Sequence, residues 1–213
     1  ESILIVGSGS GNDVAAANRF DVKNIDAVEI DPIIAELGTK YHPESPYSNA
    51  NVSLEIDDAR TFIKNSNKNY DVIVYGLLDS QSNLSSKGGI RLDSYVYTVE
   101  ALTESKNRLK NDGFIFISFF VQTPEIGYKI FKMLEKATGF KPIVLKSKTN
   151  SRYIFIGGKE EADLQINKLK YFKINKDFND KNFYDIDLST DDWPFLYIPS
   201  KVYPFAYLSI IIV

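Results

Sequence analysis

The chain has 213 residues, 44% of them hydrophobic and 25% charged, the composition of a globular protein with a sizeable core rather than a disordered one. With 25 Lys and Arg against 28 Asp and Glu the formal charge is -3 and the signs are interspersed, so no basic stripe invites nucleic acid. There is no cysteine and His42 is the single histidine, which excludes a disulfide framework, thiol chemistry and a histidine metal cluster.

Residues 2–6 are an apolar run that leads into Gly7-Ser8-Gly9-Ser10-Gly11-Asn12-Asp13, read as a buried strand, a tight turn and a helix start. Glycines allow backbone angles that side chains forbid and let the main chain approach a ligand; Asn12 or Asp13 is expected to cap the helix over 14–20. A second strand spans 25–30 and ends in Glu29-Ile30-Asp31-Pro32, with Pro32 suited to the first turn of the next helix. After a polar loop, residues 52–56 alternate as a strand, Asp57-Asp58 precede a short helix over 59–64, and residues 70–75 read as a central parallel strand. Residues 76–93 form a long loop rich in Ser, Gly and Asn, a length that is usually functional or disordered.

A helix is expected over 98–109, a turn at Asn111-Asp112-Gly113, a strand over 114–120, and a helix over 124–138 whose Ile126, Ile130, Met133 and Leu134 form a core stripe. Two further strands, 142–146 and 152–157, are joined by too short a link for a parallel crossover and should pair antiparallel. A helix over 161–170 and an aperiodic aromatic stretch follow, then Asp191-Asp192-Trp193-Pro194-Phe195, read either as a lid or, as the favoured reading for Trp193 and Phe195, as aromatics packed on the domain surface. The fold class is therefore α/β, a doubly wound sheet, mostly parallel with an antiparallel last strand. Three regions are expected: 1–157 as the ligand-binding domain, 158–204 as an extension packing on it, and 205–213 as an apolar end, either a final core strand or the first turns of a membrane helix. The chain is read as an excised domain without a signal peptide.

In such sheets ligands sit beyond the carboxyl ends of the strands. Glu29 stands there after strand two, placed to accept hydrogen bonds from both hydroxyls of a ribose, and Asp58 after strand three, placed to reach an adenine amine or to cap its helix. Asp79, just past strand four, lies where a transferred group would lie; Tyr95 and Tyr97 follow, as tyrosines that line a cation pocket or move a proton, or merely pack. Gly-x-Gly-x-Gly with Asn12 in the sixth position departs from the dinucleotide fingerprint, and no Gly-Lys-Ser/Thr follows for a triphosphate.

That glycine pattern, with an acid after strand two and another after strand three, resembles the class I S-adenosylmethionine-dependent methyltransferase fold, a Rossmann-like sheet. Val28-Glu29-Ile30-Asp31-Pro32, Ile56-Asp57-Asp58-Ala59-Arg60-Thr61-Phe62 and Tyr70-Asp71-Val72-Ile73-Val74 look like its spermidine synthase branch. The resemblance implies that Gly7, Ser8, Gly9, Gly11 and Asp13 cradle the methionine part and ribose of S-adenosylmethionine or its decarboxylated form. It further implies that Glu29 and Ile30 hold the ribose side, that Asp58, Ala59 and Tyr75 complete the nucleoside site, and that no metal takes part. Thr190-Asp191-Asp192-Trp193-Pro194-Phe195 before an apolar run resembles members of this branch that carry membrane helices, which implies a cytoplasmic-side domain attached through sequence beyond Val213. A homodimer is left open.

One departure weighs on the chemistry. Spermidine synthases have Asp-Ser-Ser-Asp-Pro after strand four, whose first Asp takes a proton from the attacking amine; here the stretch is Gly76-Leu77-Leu78-Asp79-Ser80, and Phe119-Phe120-Val121-Gln122-Thr123 stands where a Tyr-rich motif is expected. The expected function is alkyl transfer from a sulfonium to a small-molecule acceptor, an amine among the candidates, with Asp79 and Tyr95 as catalytic groups. Gly76 tilts this expectation to methyl transfer over an aminopropyl transfer that uses Asp79. A non-catalytic ligand-sensing domain of a membrane protein is the third reading.

Overall fold

A computed structural model describes residues 1–78, 95–159, 169–179, 186–198 and 200–202. Along the chain come β1 (Ser2–Val6), α1 (Asn12–Arg19), β2 (Asn24–Glu29), α2 (Pro32–Tyr41), β3 (Val52–Ile56), α3 (Ala59–Asn65) and β4 (Tyr70–Tyr75). Then follow α4 (Val99–Lys106), β5 (Leu109–Phe120), α5 (Pro124–Thr138), β6 (Ile143–Ser147), β7 (Arg152–Gly157) and β8 (Phe172–Ile174). The strands form one sheet in the order β3-β2-β1-β4-β5-β7-β6-β8. Pairing is parallel from β3 through β5 and antiparallel at β5–β7, β7–β6 and β6–β8.

The order explains the strand sequences. β1 is covered on both faces, and Leu4, Ile5 and Val6 are all buried. Because side chains alternate along a strand, Leu4 and Val6 join Tyr75, Leu102, Ile130 and Leu134 in the larger core cluster, while Ile5 packs with Val14, Val22, Ile25 and Ala27 on the other face. The chain runs outward from β1 to β2 and β3, then returns to place β4 on the opposite side of β1. Strand order thus reverses between β1 and β4, which opens a crevice at their carboxyl ends. Val6 lies opposite Tyr75 in this register, so Gly7 and Gly76 leave the sheet side by side.

Several local expectations change. Neither Asn12 nor Asp13 caps α1: Gly11 does so in the left-handed conformation, with no side-chain hydrogen bond. The side-chain caps are on other helices, Asp31 on α2, Asp58 on α3 and Thr98 on α4. The expected fourth helix ends sooner, and Leu109 opens β5 instead of closing α4. Asn111-Asp112-Gly113 is not a separate turn but an irregularity inside β5: Tyr70 pairs with Leu109 and Val72 already with Phe114. Such bulges insert residues into one strand and sharpen its twist. β8 arises in the aperiodic stretch after residue 170 and extends the sheet beyond β6. Most of the helix expected over 161–170 lies outside the described residues, and Leu169 and Lys170 are not helical.

Candidate functional site at the carboxyl ends of β1 to β4

Three glycines with positive φ carry the chain from β1 to α1. Gly9 is at +57° and Gly11 at +96°, angles at which any Cβ is strained. The surroundings of the three glycines differ. A Cβ on Gly7 would collide with the Leu78 side chain, and one on Gly11 would come 2.6 Å from Pro46, whereas among the described residues nothing lies within 4 Å of a Cβ on Gly9. The open floor of the crevice is therefore at Gly9.

Glu29 closes one side of that floor. It is buried, and its carboxylate accepts from the Gly9 N–H at 2.7 Å and from the Asp31 N–H at 2.9 Å. Each oxygen keeps a lone pair, so the group is oriented without being used up. Ile30 and Ile56 follow on adjacent strand ends and are both 48% exposed, an apolar wall beside a carboxylate. Asp58 is half-buried and accepts from the Thr61 N–H at 2.9 Å, while Asp57 accepts from the Asp58 N–H at 2.8 Å. Ala59 is buried in the first turn of α3, and Ser8 is buried in the glycine turn.

Tyr47 is part of this site, and the sequence reading passed over it. Its hydroxyl donates to the Gly9 carbonyl at 2.7 Å and lies 2.9 Å from the Ser8 hydroxyl; burial pushes its pKa up. It comes from a short 3-10 turn, Pro46–Ser48, in what read as a polar loop. The only available signal was an aromatic residue next to Pro46.

Asp13 and Gly76 meet at the crevice. Asp13 is solvent-exposed on one side, yet the protein around it raises its carboxyl pKa by desolvation; the Arg152 guanidinium, from the start of β7, opposes the shift. Arg152 is half-buried, its Nε has no hydrogen-bond partner among the described residues, and its guanidinium lies 5.5 Å from the Phe120 ring centre.

Other expected residues stand elsewhere. Tyr75 does not bring its side chain to the crevice: it is fully buried, its hydroxyl is 2.5 Å from Ser105 of α4, and burial pushes its pKa up to about 12. Tyr95 is 36% exposed, at the first described position after the long loop. Asp79 and most of that loop lie outside the described residues, as does the apolar end over 205–213. Among the described residues no helix is long and apolar enough to cross a membrane.

The tail reaches this rim through charge. Arg60 of α3 makes paired contacts with Asp191 at 2.5 and 2.6 Å and further ones with Glu104 of α4. Hydrogen bonding from Arg60 holds the Asp191 carboxyl below the usual carboxylate range. Trp193 is buried and Phe195 half-buried, their rings edge to face at 4.7 Å between centres.

Comparison with known proteins gives a coherent picture. Residues 1–144 match the family described as the spermine/spermidine synthase domain. A polyamine aminopropyltransferase of Buchnera aphidicola subsp. Acyrthosiphon pisum is 26% identical over 214 residues, covering 95% of this chain and 70% of the relative. Polyamine aminopropyltransferase 2 of Aquifex aeolicus is 27% identical over 180 residues, 80% of this chain and 35% of the relative. Among solved structures, spermidine synthase from Thermotoga maritima superposes with a TM-score of 0.61 at 17% identity, over all of this chain and 69% of that one. Human methyltransferase-like protein 13 in complex with SAH gives 0.59 at 19% identity, over 75% of this chain and 72% of that one. At these identities the two structures establish the fold alone.

Proposed function

The chain belongs to the spermine/spermidine synthase domain family, and from that membership we propose that it transfers the aminopropyl group of decarboxylated S-adenosylmethionine to a small amine. The observation that carries the nucleoside half is Glu29, fixed by two backbone N–H groups beside the open floor at Gly9. Its remaining lone pairs suit the two hydroxyls of a ribose, Ile30 and Ile56 offer apolar contact to a purine, and the free Asp58 oxygen suits an exocyclic amine. The aminopropyl choice over methyl, toward which Gly76 tilts the sequence expectation, is supported by the two relatives described above, both named polyamine aminopropyltransferases.

The chemistry asks little of the protein at the leaving group, because a sulfonium departs as a neutral thioether. Its main contributions are alignment of donor and acceptor and removal of a proton from the amine. Calorimetric titration with S-adenosylmethionine, its decarboxylated form and methylthioadenosine tests the reading, together with methylthioadenosine release in the presence of diamines. Preference for the decarboxylated donor and release of the thioether are expected. Preference for S-adenosylmethionine with methyl transfer overturns the aminopropyl choice, and no binding of any of the three overturns the nucleoside site. Glu29→Ala should weaken nucleoside binding at least about tenfold, since hydrogen bonds to a charged group are worth about 1.5–3 kcal/mol. Glu29→Gln, of similar size, separates lost ribose contacts from a collapsed turn.

A further inference from the structure

We propose that Asp13, which the resemblance placed in the donor cradle, is instead the carboxylate that takes the proton from the attacking amine, an inference that rests on the aminopropyl transfer proposed above. The geometry is specific. A Cβ built on Gly76 would stand 2.4 Å from Asp13 Oδ2 and 3.7 Å from its Cγ, and meets nothing else among the described residues within 4 Å. By standard bond lengths a carboxylate oxygen stands roughly 2.4 Å from the Cβ of its own residue. Asp13 thus holds an oxygen at the distance from that Cβ at which an aspartate at position 76 would carry its own. Gly76 has no positive φ, so its backbone is not what keeps a side chain out.

The other carboxylates described at the rim each already accept from a protein donor. Glu29 and Asp31 hold backbone N–H groups, Asp57 and Asp58 build the start of α3, and Asp191 is paired with Arg60. Among the described residues no hydrogen bond reaches the Asp13 carboxylate, and one side of it meets solvent. It stands at the carboxyl end of β4 across from β1, the crevice where strand order reverses. A carboxylate there with free acceptor positions is available to a protonated amine.

The step balances. The acceptor ammonium gives one proton to Asp13, and the freed lone pair forms a C–N bond to the donor's propyl carbon. The C–S bond breaks with its electron pair going to sulfur. The products are a neutral thioether and a secondary ammonium, and Asp13 passes its proton to water through its exposed side.

Asp13→Asn in the whole chain should lower the rate of methylthioadenosine release by about 10²–10⁴-fold while the donor still binds. Asp13→Ala should behave alike, and Asp13→Ala combined with Gly76→Asp should recover at least about tenfold of the lost rate, because the carboxylate returns to the same place from the strand. An Asp13→Asn rate close to that of the unaltered chain overturns the assignment, as does an equal loss of donor binding or a double variant no faster than Asp13→Ala. Full loss in Asp79→Asn with Asp13→Asn unaffected transfers the role to Asp79. If the unaltered chain binds the decarboxylated donor but passes no aminopropyl group to any diamine, the reaction reading itself falls and takes this assignment with it.

Discussion

Tyr47 shows how one side chain can hold a site that it does not need to touch. Its hydroxyl fixes the Gly9 carbonyl while Glu29 fixes the Gly9 N–H, so both polar groups around the open residue are tied down. Tyr47→Phe removes one of these ties and should cost about 1 kcal/mol of stability, with a several-fold loss of nucleoside affinity. Urea unfolding and titration with methylthioadenosine would check both; unchanged affinity would show that Glu29 alone orders the turn. The place of Glu29 was legible in the sequence, because an acid that ends an apolar strand stands at the carboxyl edge of the sheet, beside the glycine turn. Tyr47 was not, because its place depends on α2, where a Cβ on Gly38 would come 2.5 Å from the Ser10 carbonyl. The meeting of Asp13 with Gly76 was hidden for the same reason: it joins the first turn of α1 to the end of β4, and only the folded sheet brings the two together.

At the scale of elements, a buried lysine ties α5 to the tail. Lys129 is fully buried in α5, and its Nζ donates to the carbonyls of Phe195 and Ile198 at 2.9 and 2.6 Å. Desolvation lowers its pKa to about 8 from the usual 10.5, while the Asp187 charge acts the other way. Between those two values an unfolded chain keeps the lysine proton and the folded one has released it. Rising pH then favours the folded state through this group, and below pH 8 the effect vanishes. Unfolding free energies of the unaltered chain and of Lys129→Met, measured from pH 7.5 to pH 10.5, should therefore diverge in favour of the unaltered chain above pH 8. Parallel profiles would show that Lys129 keeps its proton in the folded state. α5 was readable from its stripe and from Gly139 at its end, since both are local signals. Its lysine sat unremarked in the same segment, because the carbonyls that partner it arrive from the far end of the chain. β8 escaped for a related reason: three residues carry no period, and only pairing with β6 makes them a strand.

For the whole molecule, the decisive feature is that no single segment contains the site. Its floor comes from the β1–α1 turn, one wall from β2 and β3, the opposing edge from β4, and its clamp from the loop after α2. A nucleoside held there touches parts that come together only in the folded sheet, so it binds the native state and not the unfolded chain. At a ligand concentration of 100 times Kd such linkage adds about 2.7 kcal/mol. In a chain of this length each kcal/mol raises Tm by about 2–4 °C, so methylthioadenosine should raise Tm by about 5–11 °C, and free adenine by less because it lacks the ribose that Glu29 would hold. Glu29→Ala should lose most of that shift at the same concentration. A shift below about 1 °C with millimolar methylthioadenosine, against the 2–4 °C expected per kcal/mol, would mean that the crevice between β1 and β4 does not hold a nucleoside at all.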